Sequence, residues 1–315
     1  MIQEPIKEYT PQTNQRSALV QFVLISCITV GFVLVFSIIA AGIIILVFGM
    51  KTLTDTAAFD LQNPNVGPAL WILQIVSTTI PLFVAPVIFA LFIVRDPRDY
   101  LKATFKFNPL FLVLIFAIML FSSPIMEVLS NINEKLVLPH ALKWVEDWMR
   151  SAEQSAQKAT EAMLNMKTIW SMLWAVFVVG LLTAIAEEFL FRGVIQTIFV
   201  RWTKNKHAAI WITAILFSAF HMEFFTFLPR VFLGAIFGYF VAYSGSIWTS
   251  VWAHFLNNGS AVVITYLFNH KIIKLSPDDQ HVFNYGAYAF SLIIVLFLLF
   301  IYRMIATNKK LAPNN

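Results

Sequence analysis

Long apolar runs recur along the whole sequence, and they restrict its fold more than any other feature. The first run contains no charged residue from Ala18 to Met50. A helix needs about 20 apolar residues to cross the hydrocarbon core of a bilayer, whereas the apolar core of a cleaved signal peptide has about 7–15. We therefore predict that this run is a retained, tilted membrane-spanning helix.

The composition indicates the same class of protein. Of the 315 residues, 59% are hydrophobic and 12% are charged, whereas a soluble domain has about 45–50% apolar and about 25% charged residues. A water-soluble globule and a disordered chain are therefore excluded. The single cysteine excludes an internal disulfide framework. The net charge of +5 reports orientation and contact with the lipid bilayer, so we predict no nucleic-acid partner.

The apolar segments predict an all-α polytopic membrane bundle of about eight transmembrane helices. We divide the chain into N-terminal spans with an interfacial helix (1–167), a core that carries polar motifs (168–268) and a last span with its tail (269–315). The predicted spans are 18–50, 69–94, 109–129, 168–188, 208–227, 229–245, 247–268 and 284–304.

Lysine and arginine residues are unevenly distributed between the two sides of these spans. With the N-terminus inside, twelve lie on the cytoplasmic side and nine lie outside, but five of the nine belong to the loop 130–167. A long loop constrains orientation only weakly. We therefore predict a multi-pass protein with both termini in the cytoplasm. The lack of a transit-like N-terminus favours the plasma membrane of a bacterium.

The loop 130–167 contains a predicted amphipathic helix from about Ala141 to Met166. Apolar residues recur there every three or four positions and include Trp144 and Trp148. Such a pattern is typical of a helix that lies at the membrane interface. We expect it to be either a connector that covers the bundle or a gate for substrate.

Three charged residues, Glu187, Glu188 and Arg192, interrupt the fourth span. Because a central charge costs about 2.5–3.5 kcal/mol on insertion scales, they must lie near the surface or face a polar cavity and one another. Glu188 and Arg192 are four residues apart and can pair, whereas Glu187 is rotated by about 100° from Glu188. An unpaired Glu187 suits a general base. The alternative is an ion-pair cluster that locks two helices together.

Two further spans carry polar residues at helical spacing. Phe217 and His221 lie one turn apart in the fifth span, and His254 and Asn258 lie one turn apart in the seventh. Buried ionisable groups in a membrane protein mark a functional site by default. We therefore predict that three spans bring carboxylates, imidazoles and an amide to one site.

Several chemistries fit this set of side chains. Glu187 and His221 can polarise a water molecule while His254 and Asn258 donate hydrogen bonds to an oxyanion. Alternatively, Glu187, His221 and His254 can hold zinc with one open position, although the His-Glu-x-x-His motif is absent. A proton-coupled transporter also uses buried Glu and His, but the sequence shows no internal repeat.

At these positions the sequence resembles the CAAX-protease and bacteriocin-processing family of intramembrane proteins, also called the Abi family, which includes the type II CAAX prenyl endopeptidases. The resemblance rests on three ordered motifs within residues 168–268. They are EExxxR starting at Glu187, FxxxH starting at Phe217 and HxxxN starting at His254.

This resemblance implies an intramembrane endopeptidase with a membrane-inserted or lipidated peptide as substrate. It implies that Glu187 and His221 activate water and that His254 and Asn258 form the oxyanion site. We favour metal-independent glutamate chemistry with no required cofactor, and a zinc-dependent variant is the alternative. A non-catalytic bacteriocin-immunity or scaffold protein is a further hypothesis. The supporting residues of the site would be Glu188, Arg192 and Phe217.

Overall fold

A computed structural model describes residues 16–94, 97–136, 139–276, 279 and 282–308. These residues form helices joined by short loops and contain no strand, which confirms the predicted all-α class. The helices are α1 (Ala18–Phe48), α2 (Met50–Ala57), α3 (Val66–Val94), α4 (Pro97–Leu101), α5 (Leu110–Glu134), α6 (Lys143–Met163), α7 (Ile169–Thr203), α8 (Lys206–Phe220), α9 (Phe227–Ser244), α10 (Ile247–Asn269) and α11 (Tyr285–Thr307).

Six helical segments in the described part of the chain are long and apolar enough to cross a membrane. They include α1, α3, α5, α7 and α11, together with the segment Phe224–Ser244 that contains α9. Each of the eight predicted spans overlaps a helix, but eight crossings are not confirmed. Helix α8 has 15 residues, which span only about 22 Å at 1.5 Å per residue. Helix α10 has 23 residues, but His254, Asn257 and Asn258 interrupt its apolar sequence.

The predicted orientation stays a prediction. Four of the basic residues that support it, Lys7, Arg95, Lys309 and Lys310, lie outside the described residues. Both ends of the chain lie outside them as well. The assignment of both termini to the cytoplasm is therefore untested by the arrangement of the helices.

Helix α7 is longer than the sequence pattern predicts. The predicted span ended at residue 188, but the helix is 35 residues long and continues to Thr203. Glu187, which the predicted bounds 168–188 place at the end of its span, therefore lies near the middle of its helix. The reason is that Arg192 and Gln196, which look like the end of an apolar segment, are buried and bonded to α9.

Helix α10 contributes to two apolar clusters and packs against both α7 and α5. The first cluster contains residues of α1, α3, α4, α7, α8 and α10, and the second contains residues of α5, α9, α10 and α11. Because α10 carries His254, this arrangement holds that residue against α7 in the middle of the bundle.

Two glycines on α9 allow close contact with neighbouring helices. A Cβ atom on Gly234 would lie 3.1 Å from the Cα atom of Ala214, and one on Gly238 would lie 2.6 Å from Oε1 of Gln196. The small-xxx-small pattern formed by Gly234 and Gly238 thus packs these helices closely. The approach also leaves the backbone carbonyl of Gly234 within reach of α7.

Helix α7 widens into π-helical turns on both sides of the Glu187–Glu188 pair, at Val176–Leu182 and at Phe189–Ile195. Helix α3, which packs against α7, has two similar stretches at Leu73–Thr79 and Phe89–Val94. Insertions of this kind are frequent at functional sites. They mark the middle of α7 and the neighbouring parts of α3 as irregular segments of the bundle.

The predicted amphipathic helix is present as α6. None of its residues is buried, and Trp144 is 72% exposed. Exposed tryptophans on one face of an amphipathic helix suit a position at the membrane interface. The aromatic ring of Trp148 lies 5.5 Å from that of Phe224 in the loop between α8 and α9, so α6 covers the loop that follows His221.

Candidate active site

The predicted pair of Glu188 and Arg192 is present and fully buried. Nη1 of Arg192 donates to Oε1 of Glu188 at 2.7 Å, and both side chains have 0% exposure. Nη2 of Arg192 donates to the carbonyl oxygen of Gly234 at 3.0 Å. The guanidinium carbon lies 4.4 Å from the ring centroid of Phe217. The arginine thus joins α7, α8 and α9 through charge, hydrogen bonds and cation–π contact.

The same glutamate also binds α10. Oε2 of Glu188 accepts a hydrogen bond from the Ser250 hydroxyl, and Oε1 lies 2.9 Å from Nδ1 of His254. An ionised carboxylate can only accept, so Nδ1 of His254 carries the proton of this bond. Nε2 of neutral His254 is therefore an unprotonated acceptor. Sequence reasoning missed Ser250, although it precedes His254 by one helical turn on the same face.

Glu187 points to a different set of groups. Its Oε2 atom is buried and has no hydrogen-bond partner among the described residues. It lies 3.7 Å from Nε2 of His221 and 3.8 Å from Nε2 of His254. The geometry therefore brings together one carboxylate and two imidazoles that the sequence predicted to share a site.

His221 is also fixed in one orientation. Its Nδ1 atom lies 2.8 Å from the carbonyl oxygen of Phe217, one turn earlier in α8. Because a carbonyl only accepts, Nδ1 donates and Nε2 of neutral His221 has a lone pair that faces Glu187. The side chain is 23% exposed, which makes His221 the most accessible member of the three.

Asn258 lies one turn beyond His254 and is bonded to α7. Its Nδ2 atom donates to the carbonyl oxygen of Val179 at 3.3 Å, and its Oδ1 atom accepts from Asn257 at 3.1 Å. One N–H of the Asn258 amide is therefore engaged and the second is not used by either bond. Its proposed part in oxyanion binding stays a prediction.

Residues outside the predicted motifs hold the loop that follows His221. The buried side chain of Asn133 at the end of α5 donates to the carbonyl oxygen of Phe224 at 2.8 Å and accepts from the backbone N–H of Leu228 at 2.9 Å. Glu153 on α6 accepts from the backbone N–H of Phe225 at 3.0 Å. No sequence signal pointed to these contacts, because they join positions about 70–95 residues apart.

The pKa of Glu153 is raised above its usual value, chiefly because burial disfavours the charged carboxylate. The hydrogen bond from Phe225 and the positive charges of Arg230 and Arg150 oppose this rise. Glu223, which forms an ion pair with Arg230, adds to it. The surface between α6 and the loop is therefore a small network of opposite charges.

The positions of the side chains determine whether the site can hold a metal ion. Within the described residues, no group of three or more His, Cys, Asp or Glu side chains is arranged so that it could hold a metal ion. Glu187, His221 and His254 are the residue types that zinc prefers, but as they stand they do not form such a group. We therefore derive no reaction step through zinc.

The described helices form a polytopic all-α bundle of the membrane-spanning type with a buried carboxylate–imidazole site. Residues 169–260 match the family model described as type II CAAX prenyl endopeptidase Rce1-like. All three predicted motifs fall inside this segment. The resemblance predicted from the motifs is therefore confirmed over this part of the chain.

A curated relative is similar over a segment of about the same length as the family match. The chain is 27% identical over 106 residues to the uncharacterized protein YpbD of Bacillus subtilis (strain 168). The match covers 32% of this chain and 50% of that protein, so the chain spans about half the length of the curated relative. No solved structure matches.

The two adjacent glutamates should differ in their effect on stability. Glu188→Gln leaves the buried Arg192 without a counter-charge, and we expect the free energy of unfolding to fall by about 3–5 kcal/mol. Glu187→Gln removes no hydrogen bond of Oε2, and we expect a change below about 1 kcal/mol. Thermal and denaturant unfolding in one detergent measures both variants. Equal losses of stability would contradict this division.

The loop after His221 should depend on Asn133. Asn133→Leu removes two hydrogen bonds to the loop, each worth about 1–3 kcal/mol when a buried group is left unpaired. We expect amide exchange of residues 222–228 to become at least about fivefold faster, as measured by mass spectrometry. Ser123→Ala is the matched control, since that exposed hydroxyl donates to the carbonyl oxygen of Leu120 in its own helix. If both variants exchange alike, the loop does not depend on Asn133.

Proposed function

We propose that this protein is an intramembrane endopeptidase that hydrolyses a peptide bond in a membrane-inserted or lipidated substrate. The observation that carries the proposal is the buried Oε2 atom of Glu187, which has two imidazole nitrogens within 4 Å and no hydrogen-bond partner in the described chain. A carboxylate used only for packing would be paired, as Glu188 is. The match of residues 169–260 to the Rce1-like model supports the same function.

Glu187 and His221 are proposed to activate the attacking water. A water molecule between Oε2 of Glu187 and Nε2 of His221 can donate one proton to each of these two acceptors, which raises the electron density on its oxygen. As the water oxygen bonds to the substrate carbonyl carbon, one water proton passes to Glu187. The same proton then passes to the leaving nitrogen as the carbon–nitrogen bond breaks, and the carboxylate is regenerated.

His254 and Asn258 are proposed to stabilise the oxyanion of the tetrahedral intermediate. For Nε2 of His254 to donate, the imidazole must be protonated at both nitrogens. The Glu188 carboxylate at Nδ1 stabilises that imidazolium. The second N–H of the Asn258 amide is available for the same oxyanion while the first remains bound to Val179.

The proposed cleavage site lies inside the bundle but closer to one end of it. His254 is seven residues, about 10 Å, from the start of α10 and about 22 Å from its end. At that nearer end, the backbone N–H of Ile247 donates to the carbonyl oxygen of Lys102 at 3.0 Å. The distribution of basic residues predicts that this end faces the cytoplasm. We therefore propose cleavage in the half of the membrane next to the cytoplasm.

The substrate is proposed only by class. The resemblance includes proteins that process CAAX sequences and proteins linked to bacteriocin immunity or peptide maturation, and the site geometry favours neither group. A lipidated or membrane-inserted peptide fits a site that is enclosed by apolar helices. A bacterial plasma membrane remains the predicted location.

The first alternative is a non-catalytic immunity or scaffold protein with the same fold. Such a protein has no need for an unpaired carboxylate facing two oriented histidines. The second alternative is a zinc-dependent protease, which is favoured by one observation: Nδ1 of each histidine is already bonded, so both Nε2 atoms are free to bind a metal.

Cleavage should depend on Glu187. We expect new peptide termini in the membrane fraction of cells that express the wild-type protein, and a loss of at least about 100-fold for Glu187→Gln, as is typical when a general base is removed. Quantitative mass spectrometry of membrane peptides measures this and identifies the substrate. Glu161→Gln, a change of an exposed carboxylate on α6, is the matched control. Identical termini with folded wild type and Glu187→Gln at equal levels would favour the non-catalytic alternative.

Zinc content distinguishes the two protease hypotheses. If the glutamate mechanism is correct, we expect purified, active protein to contain well under one zinc per chain and to keep its activity after treatment with a chelator. Elemental analysis of the wild type and of His221→Ala makes this measurement. One zinc per chain that is lost in His221→Ala would replace our proposal with the metalloprotease.

A further inference from the structure

Ser250 lies one helical turn before His254 on α10, so the two side chains are on the same face of the helix. Ser250 belongs to none of the three motifs on which the proposed mechanism rests. Its side chain is nonetheless fully buried, and its hydroxyl donates to Oε2 of Glu188 on α7. A hydroxyl has one proton to donate, and a bond to a carboxylate is stronger than one between neutral groups. Ser250 is therefore a fixed polar contact between α7 and α10.

Three donors share the carboxylate of Glu188. Oε1 accepts from Nη1 of Arg192 at 2.7 Å and from Nδ1 of His254 at 2.9 Å, whereas Oε2 accepts from Ser250. The last torsion of a glutamate side chain is broad, so rotamer preference does not fix the plane of the carboxylate. The hydrogen bonds fix it instead. Oε1 stays at His254 only while the plane keeps this orientation.

Arg192 competes with the other donors for this carboxylate. Arginine–carboxylate pairs are frequently bidentate, but a single hydrogen bond joins Arg192 to Glu188 among the described contacts. Nε of Arg192 is buried without a hydrogen-bond partner in the described chain, which is unusual for a buried donor. The guanidinium therefore has unused capacity to donate. If Oε2 lost its bond to Ser250, turning towards Arg192 would supply another donor and would move Oε1 away from the imidazole.

The imidazole of His254 depends on Glu188 for the position of its proton. The ring of Phe237 stacks on the imidazole, with 5.3 Å between centroids and 26° between planes. Stacking holds the plane of the ring, but the hydrogen bond at Nδ1 decides which nitrogen carries the proton. Among the described contacts, Glu188 makes that bond. It keeps Nε2 as the nitrogen that faces Glu187.

We propose that Ser250 is a positioning residue for His254. Its hydroxyl holds the Glu188 carboxylate in the orientation that keeps Oε1 at Nδ1 of His254, and it prevents the carboxylate from pairing fully with Arg192. Ser250 does not act as a nucleophile, because its oxygen is fully buried and its proton is directed at Glu188. The expected effect on cleavage rests on the proposed function, whereas the effect on the imidazole is measured without a substrate.

The first experiment measures exchange of the Nδ1 proton of His254 with water by NMR. It uses the purified full-length protein in detergent with ¹⁵N-labelled histidine, and the signal is assigned by its absence in His254→Gln. We expect exchange to become at least about fivefold faster in Ser250→Ala. We expect the midpoint of thermal unfolding to stay within about 3 °C of the wild type, because the unused donors of Arg192 replace the lost bond.

Thr249→Val is the matched control for this measurement. Thr249 is also fully buried on α10, but its hydroxyl donates to the carbonyl oxygen of Ser246 and not to Glu188. We expect the Nδ1 proton of His254 to exchange in this variant as in the wild type. Equal acceleration in both variants, or unchanged exchange in Ser250→Ala, would overturn the proposal. A loss of stability without faster exchange would make Ser250 a purely structural contact.

The second experiment compares new peptide termini in membranes that contain equal amounts of each variant. We expect a loss of at least about tenfold in Ser250→Ala and, in Ser250→Thr, which keeps the hydroxyl, cleavage within about threefold of the wild type. If Ser250→Ala folds poorly, Ser250→Cys takes its place, since a thiol is a weak donor. Full cleavage despite faster exchange would overturn the positioning role. Absence of cleavage by the wild type would instead contradict the proposed function, and proton exchange would still test Ser250.

Discussion

The buried ion pair between Glu188 and Arg192 is the interaction on which the rest of the site depends. Charged groups near the centre of a membrane helix cost about 2.5–3.5 kcal/mol each, so α7 can remain helical through this region only if the charges are satisfied within the bundle. The pair achieves this with the carbonyl oxygen of Gly234, the hydroxyl of Ser250 and the imidazole of His254. The same contacts join α7 to α9 and α10. The satisfaction of one pair of charges thus fixes the relative positions of three helices.

That constraint also explains why two neighbouring glutamates have different surroundings. Successive residues of a helix are rotated by about 100°, so when Glu188 faces Arg192 its neighbour Glu187 must face elsewhere. Glu187 faces His221 and His254, and both histidines are held by bonds to their Nδ1 atoms. His254 is held by Glu188 itself. The structural glutamate therefore orients one of the two groups that surround the glutamate proposed as the general base.

Local spacing was sufficient to predict the helices and the Glu188–Arg192 pair, because both depend on residues within a few turns of one another. It also placed Phe217 with His221 and His254 with Asn258. It failed where contacts between distant segments decide the outcome. The predicted fourth span ends at residue 188, whereas α7 continues past Arg192, whose partner Gly234 on α9 is 42 residues away. Asn133 and Glu153 were missed for the same reason, since nothing near either residue signals a contact with the loop after His221.

The loop beside the site is held by Asn133 and Glu153 from the N-terminal part of the chain. Both residues lie before residue 169, outside the segment that matches the Rce1-like model, yet they bind the loop that begins one residue after His221. His221 is the most exposed of the three groups around Glu187, so this loop borders the accessible side of the site. The glutamates and the ion pair are held from within the matched segment, whereas the loop is held from α5 and α6. Changes in the N-terminal part of the chain can therefore alter what reaches Glu187 and leave the hydrogen bonds of Glu188 unchanged.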